Sequence, residues 1–196
     1  MSTPAADPEL LAAACRFASE AGALTLEWFR KGDLNLEHKV DGTPVTAADK
    51  AAEARLRQLI GDFAPEDTIL GEEEGHSPGS GERRWIIDPI DGTKAFTRGV
   101  PLYSTLVAVE DEYGPAVGII DLPALDQQVF AGRGLGCTVV DLHGERPARV
   151  SDTSTLGDAL LTTSGFGSLG IEQVKLAHGS GALLRTWGDG YGYALV

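Results

Sequence analysis

At 196 residues, with 42% hydrophobic and 23% charged side chains, the chain has the composition of a soluble globular protein of one large or two small domains. Its formal net charge of −13 argues against nucleic acid or an anionic membrane as partner, since both need a basic footprint. The same charge sets a requirement: an anionic substrate would need positive charge from outside the side chains, and a metal ion is the usual source.

The opening stretch "MSTPAADPELLAAACRF" has neither a basic n-region nor a continuous apolar h-region, so no signal peptide is expected and the location expected is cytoplasmic. No run of about 18 apolar residues is present that would span a membrane. Asp7-Pro8 predicts an N-cap with proline at the first helical position, and Leu10, Ala14, Phe17, Ala21, Leu24 and Trp28 recur as one helix face, with Gly32 as the stop. A polar loop, "HKVDGTPVTAAD", follows. Thr46 and Asp49 form a capping-box pattern in its acidic form, and Ala52, Leu56, Leu59, Ile60 and Phe63 mark the face of a second helix.

Beyond it the texture changes to short β-branched or alternating runs between Gly, Pro and Asp: "TILGEEEG", "RWIID", "LYSTLVAVED", "AVGIIDLP", "QQVFAGRG" and "CTVVD". Two helices followed by many strands predict α+β layering. From about residue 151 the pattern shifts again, to a strand in "ALLTTSG", a helix over 171–178, and another helix opening in "TWGDGYGYALV". The expected division is a domain over 1–150 and a second, partial α/β domain over 151–196. Cys15 falls in a helical pattern and Cys137 in a strand-like one. With no CxxC or Cys/His pattern, two free buried thiols are expected rather than a zinc site.

The stretch "WIIDPIDGTKAFTRG" carries the chemistry. A buried strand ends on Asp88, and Pro89 cannot donate a ladder hydrogen bond, so the chain is expected to turn there. In such a turn Asp88, Asp91 and the Ile90 carbonyl can face one centre, the oxygen set that a hard divalent cation takes. Gly92 has no Cβ to bar a ligand from the backbone, Thr93 adds a hydroxyl, and a short helix over 92–96 would offer free N–H groups to an anion. Taken alone, "DPIDGT" reads equally as a turn with aspartate as its cap. The acidic cluster Glu72, Glu73 and Glu74 after "TIL" reads alone as a solvated turn, but two acidic strand ends within about 20 residues favour a metal site.

Three stretches, "DGTPVTAADKAAE", "ILGEEEG" and "WIIDPIDGTKAFTRGVP", resemble the inositol monophosphatase superfamily of Mg²⁺-dependent phosphatases. The last is highly specific, and "DGTKAF", "GVPLYSTLVAV" and "RTWGDGYGYALV" look most like the bacterial histidinol-phosphate phosphatase branch. The resemblance implies a layered α/β sandwich with the N-terminal helices on an antiparallel sheet. It implies metal ligation by Glu72, Asp88, the Ile90 carbonyl and Asp91, with Asp88 bridging two Mg²⁺ ions. Gly92 and Thr93 would bind phosphate, Thr93 with Glu72 would orient the attacking water, and Asp49 would stand beside that water. Lys39 matches a lysine near the metal waters or is a solvated loop lysine. Asp189 matches the region that contacts the leaving alcohol, where a carboxylate suits the amine of histidinol, or it caps a helix.

The implied activity is Mg²⁺-dependent hydrolysis of a small phosphate monoester: histidinol phosphate in histidine biosynthesis, or alternatively inositol 1-phosphate or a related sugar phosphate. A homodimer is the assembly the family resemblance suggests. The superfamily also carries a Trp-Asp motif whose aspartate completes the second metal site, whereas Trp28, Trp85 and Trp187 are not followed by Asp here. The resemblance therefore implies a C-terminally truncated member, and a non-catalytic metal- or phosphate-binding fragment stands as the reading from another class.

Overall fold

A computed structural model describes residues 3–31, 37–38, 44–165, 167 and 169–196. In chain order the elements are α1 (Pro8–Thr25), β1 (Glu37–His38), β2 (Pro44–Val45), α2 (Ala47–Phe63), β3 (Thr68–Gly71), β4 (His76–Ser77), β5 (Arg84–Asp91), α3 (Thr93–Phe96), β6 (Ser104–Asp111), β7 (Gly114–Leu122), β8 (Gln127–Gly132), β9 (Gly136–Asp141), β10 (Gly144–Ala148), β11 (Leu160–Thr162), α4 (Ile171–Gly179), β12 (Leu183–Arg185) and α5 (Asp189–Ala194). Asp7 caps α1 by accepting from the Glu9 N–H at 2.9 Å, with Pro8 at the first helical position. The helix ends at Thr25, earlier than the apolar spacing suggested. Trp28 lies in the turns that follow, and Gly32 and Lys39 fall outside the described residues.

Eight strands form one sheet in the order β10-β9-β8-β7-β6-β5-β3-β4. It is antiparallel, as expected, except where β3 pairs with β5 in parallel. The reason lies in the path: β4 folds back antiparallel on the outer side of β3, so the returning chain enters β5 on the inner side, running with β3. Helices α1 and α2 cover the sheet. Ala13, Ala14, Ala18 and Ala21 of α1 and Ala52 of α2 are all fully buried, and such small side chains let the helices approach each other and the strands closely. Trp85 of β5 is fully buried in this core against Phe17 and Phe63, with ring centroids 5.9 and 6.3 Å away. Its indole N–H donates to Asp67 Oδ2 at 2.9 Å, so the one polar atom of the ring is satisfied.

A second apolar cluster, Ala48, Ile90, Phe96 and Tyr103, joined by Trp28, Phe29 and Ala124, backs the loop that follows β5. Phe96 meets Tyr103 edge-on at 4.9 Å, and the Tyr103 hydroxyl is 2.9 Å from Thr25 Oγ1. Beyond residue 150, β11 and β12 form a separate parallel pair. Cys15 and Cys137 are free thiols on α1 and β9, half-buried rather than buried, and burial raises the Cys15 thiol to about 11. Among the described residues no helix is long and apolar enough to cross a membrane.

Candidate functional site

Strand β5 does not stop at Asp88 but runs on to Asp91 through an irregularity. Asp88 pairs with Leu106 and Asp91 with Ser104, so three steps along β5 match two along β6. In a regular strand, residues three apart face opposite sides of the sheet. The extra residue of the bulge reverses that parity and turns both aspartates to one side. Pro89 sits in the bulge, where its missing N–H costs no ladder bond, and its carbonyl accepts from Thr105 Oγ1 at 2.8 Å. The expected turn is thus a bulge, which achieves the same re-aiming while the strand continues.

After the bulge the backbone passes through Gly92, at φ 91°, into α3. The positive φ is what calls for glycine there; a Cβ would make a close but adjustable approach of 3.2 Å to Asp189 Oδ2 and an ordinary contact of 3.5 Å with the Leu102 carbonyl. Thr93 Oγ1 donates to the Ile90 carbonyl at 3.1 Å, and the Ile90 N–H donates to Asp88 Oδ1 at 3.1 Å. The Ile90 side chain is fully buried, which anchors the loop from below.

Burial pushes the Asp88 carboxyl well above the ordinary carboxylate range, helped by the charge of Glu72, a hydrogen bond with it, and the charge of Asp91, while the Ile90 N–H opposes. Asp91 is raised by burial, against the pull of hydrogen bonds from the Gly190 N–H and Ser104, with the charges of Asp189 and Glu72 adding to the rise. Asp49 is raised by burial too, although the Thr46 hydroxyl and N–H both donate to its Oδ2, at 2.6 and 2.7 Å. Asp49, Glu72, Asp88, Asp91 and Asp189 therefore act on one another as an acidic cluster, assembled from α2, the β3–β4 loop, β5 and α5.

As to whether this cluster suits a divalent cation, its donors are hard oxygens, and the charges of Glu72 and Asp91 both bear on the buried Asp88 carboxyl, a place where a cation would relieve the repulsion. The donor chemistry fits. Among the described residues, however, no three His, Cys, Asp or Glu side chains stand together as a ready-made ligand set, so the carboxylates would draw in around an ion.

Three contributors escaped the sequence reading. Ser104 Oγ donates to Asp91 Oδ2 at 3.0 Å, and the Gly190 N–H donates to the same oxygen. A Cβ at Gly190 would fall 2.2 Å from Ser104 Oγ and 2.9 Å from Asp91 Oδ2, so the Gly-Asp-Gly spelling at 188–190 was the available signal. The third, Glu53, is a fully buried carboxylate on α2, inside the quoted "AADKAAE". Asp189 is the first residue of α5 and not its cap, a position taken by Gly188, and its own N–H donates to Ser164 Oγ at 3.1 Å. A recess of about 410 Å³ beside it is lined by Thr163, Ser164, Gly188 and Gly192 among others. A larger groove of about 900 Å³, lined chiefly by apolar residues of α4, β11 and β12, contains none of the acidic cluster.

Residues 7–175 match the inositol monophosphatase family. The chain is 38% identical over 190 residues to the histidinol-phosphatase of Chlorobaculum parvum, covering 93% of this chain and 71% of that protein. It is 39% identical over 189 residues to the histidinol-phosphatase of Mycobacterium tuberculosis, covering 93% and 72%. The solved structure of the extragenic suppressor protein suhB from Bartonella henselae superposes with a TM-score of 0.82 at 26% identity, over 92% of this chain and 71% of that one. Fold, motif-bearing loops and relatives agree, and the chain belongs to the inositol monophosphatase family of phosphatases, hydrolases of phosphate monoesters.

Proposed function

We propose that the chain hydrolyses histidinol phosphate to histidinol and phosphate with Mg²⁺ bound by Glu72, Asp88, the Ile90 carbonyl and Asp91. The observation that carries this reading is the bulge in β5, which turns Asp88 and Asp91 to one side next to Glu72, immediately before Gly92 and Thr93. When bound, Mg²⁺ would supply Lewis acidity at the phosphate and lower the pKa of a coordinated water.

The residues of the chain do the rest. Thr93 Oγ1 gives its hydrogen to the Ile90 carbonyl, so its lone pairs face outward as acceptors for the attacking water. Glu72 is the second acceptor for that water, and Asp49, in reach of its charge, strengthens the local negative potential. The N–H groups of Gly92 and Thr93 precede any intrahelical partner at the start of α3, and would be the donors to the phosphate. Asp189, beside Gly92, presents a carboxylate to the ammonium of the leaving histidinol, and the adjacent recess receives the rest of that group. In this division residues 1–150 hold metal and phosphate, and residues 151–196 select the alcohol. Two relatives that carry the name histidinol-phosphatase support the substrate assignment.

Phosphate release from histidinol phosphate and from inositol 1-phosphate, each with Mg²⁺ and with a chelator, tests the proposal. Metal-dependent turnover of histidinol phosphate in preference to inositol 1-phosphate is expected. Preference for the inositol ester refutes the substrate, and metal uptake without turnover of either refutes catalysis by this chain.

A further inference from the structure

Glu53 and Arg57 stand one turn apart on α2, a spacing that on a helix surface contributes only a few tenths of a kcal/mol. Here the pair is turned inward. Glu53 is 0% exposed, and the Arg57 side chain only 11%. Arg57 Nε and Nη2 lie 2.9 and 2.8 Å from Glu53 Oε1. The carboxylate also leaves its helix to accept two backbone donors from the acidic loop, the Glu73 N–H at 2.7 Å on Oε2 and the Glu74 N–H at 2.9 Å on Oε1. Arg57 binds the far side of the loop, donating to the Gly75 carbonyl at 2.6 Å and to Ser77 Oγ at 2.8 Å, with Glu74 Oε2 3.5 Å from its Nε. Gly71 makes room: a Cβ there would fall 2.2 Å from Glu53 Oε1 and 2.6 Å from Arg57 Nη2.

A buried ion pair is poor economy if stability is its purpose, because apolar side chains of the same volume usually serve as well or better. What it supplies is directional hold. The loop at 72–74 carries three consecutive carboxylates that repel one another, and an anion buried beneath them would add to the repulsion. Instead that anion is neutralised by Arg57 and grips the backbone through charge-assisted bonds. The gripped amides belong to the two residues that follow Glu72, whose own side chain reaches Asp88.

We propose that Glu53 and Arg57, with Gly71, form a positioning unit that fixes the 72–74 backbone so that the Glu72 carboxylate is held toward Asp88, ready for a cation. This rests on the metal reading of the site given above. Mn²⁺ titration of the full chain, followed by electron paramagnetic resonance without substrate, tests it alongside amide hydrogen exchange at Glu73 and Glu74. Glu53→Gln is expected to weaken Mn²⁺ binding roughly 10–100-fold, the usual effect of losing a support behind a ligand, and to speed exchange at both amides. Gly71→Ala, which displaces the pair by its Cβ, is expected to act in the same direction. A double variant losing little more than either single change would place the two in one unit. In turnover assays the lost activity should be largely restored at high Mg²⁺, an outcome that simple misfolding does not give. Unchanged Mn²⁺ affinity in a folded Glu53→Gln chain overturns the inference while the metal reading survives. A wild-type chain that takes up no Mn²⁺ overturns both. Should Glu53→Gln not fold, Arg57→Lys, which keeps the charge and loses the fork, answers the same question by the same titration.

Discussion

Along β5 the chain buries Trp85, Ile87 and Ile90 to 2% exposure or less, whereas beyond residue 150 Leu176 is 73% and Ile171 69% exposed. The first region lies within the eight-stranded sheet, paired with β3 and β6 and covered by α1 and α2. The second consists of a two-stranded parallel pair and α4, a helix in which no residue is buried. The contrast shows where rigidity comes from. A cluster of like-charged carboxylates can be held together only by a framework whose packing outweighs their repulsion, and β5 has that framework on both flanks. Among the described residues, the segment at 151–196 meets the framework through α5, which buries Gly190 and Gly192 and whose Gly190 N–H meets Asp91.

The largest effect expected is at the rigid end. Asp88→Asn should lower turnover at saturating Mg²⁺ by about 10³-fold or more, the scale on which removed electrostatic stabilisers act, while the melting temperature of the metal-free chain holds or rises. The fold already disfavours the charged form of Asp88, so a neutral amide removes a strain rather than a support. Near-wild-type phosphate release by this variant would refute the metal reading of the loop.

Packing is the next point of contrast. Leu56→Ala, at a fully buried position on α2, should cost roughly 2–5 kcal/mol in urea unfolding. Leu176→Ala, on the exposed α4, should stay within about 0.5 kcal/mol. Equal costs would mean that the two regions are packed alike in solution.

The link between the regions is tested through Asp189. Asp189→Ala should raise the KM for histidinol phosphate on the order of 10- to 100-fold, the worth of one charge-assisted hydrogen bond, and leave that for a neutral phosphate ester little changed. A parallel loss for both esters would make Asp189 a residue of the fold alone.

The smallest effect is expected inside the framework and away from the site. Asp121 on β7 accepts from Ser19 Oγ and Gln128 Nε2, at 3.3 and 2.8 Å, yet burial raises its carboxyl above the ordinary range. A raised acid favours the fold fully below the unfolded-state value, and that contribution is lost as pH rises through the folded value. Ionised Asp121 is therefore a burden near neutrality. Asp121→Asn, which retains an oxygen acceptor, should raise stability there by roughly 0.5–2 kcal/mol and confer no gain in acid, as thermal melts across pH would show.

Much of this molecule was legible in local pattern. The Asp7-Pro8 start of α1, the Thr46–Asp49 capping box and the apolar face of α2 depend on contacts within four residues, so spacing alone reveals them. The acidic residues of the candidate site were legible for a similar reason: Asp88 and Asp91, with Gly92 next to them, lie within five consecutive residues, and their chemistry is unusual at the end of an apolar strand. The C-terminal end of α1 was not legible, because apolar spacing persists past Thr25 into turns where Trp28 and Phe29 serve the second cluster instead.

Other features needed the tertiary structure because they join residues far apart in the chain. The parity reversal that turns Asp88 and Asp91 to one side is set by how β5 registers on β6, a pairing that no window of sequence contains. The hold on Asp91 comes from Ser104, 13 residues away, and from Gly190, 99 residues away. The grip of Glu53 on the amides of Glu73 and Glu74 spans 20 and 21 residues. Local pattern was enough to say which oxygens are present and which elements carry them, because hydrophobic period, caps and turn residues act over a few neighbouring positions. Which of those oxygens are desolvated, which are held and which face one another was decided only by packing, since burial and approach are properties of the assembled sheet and helices.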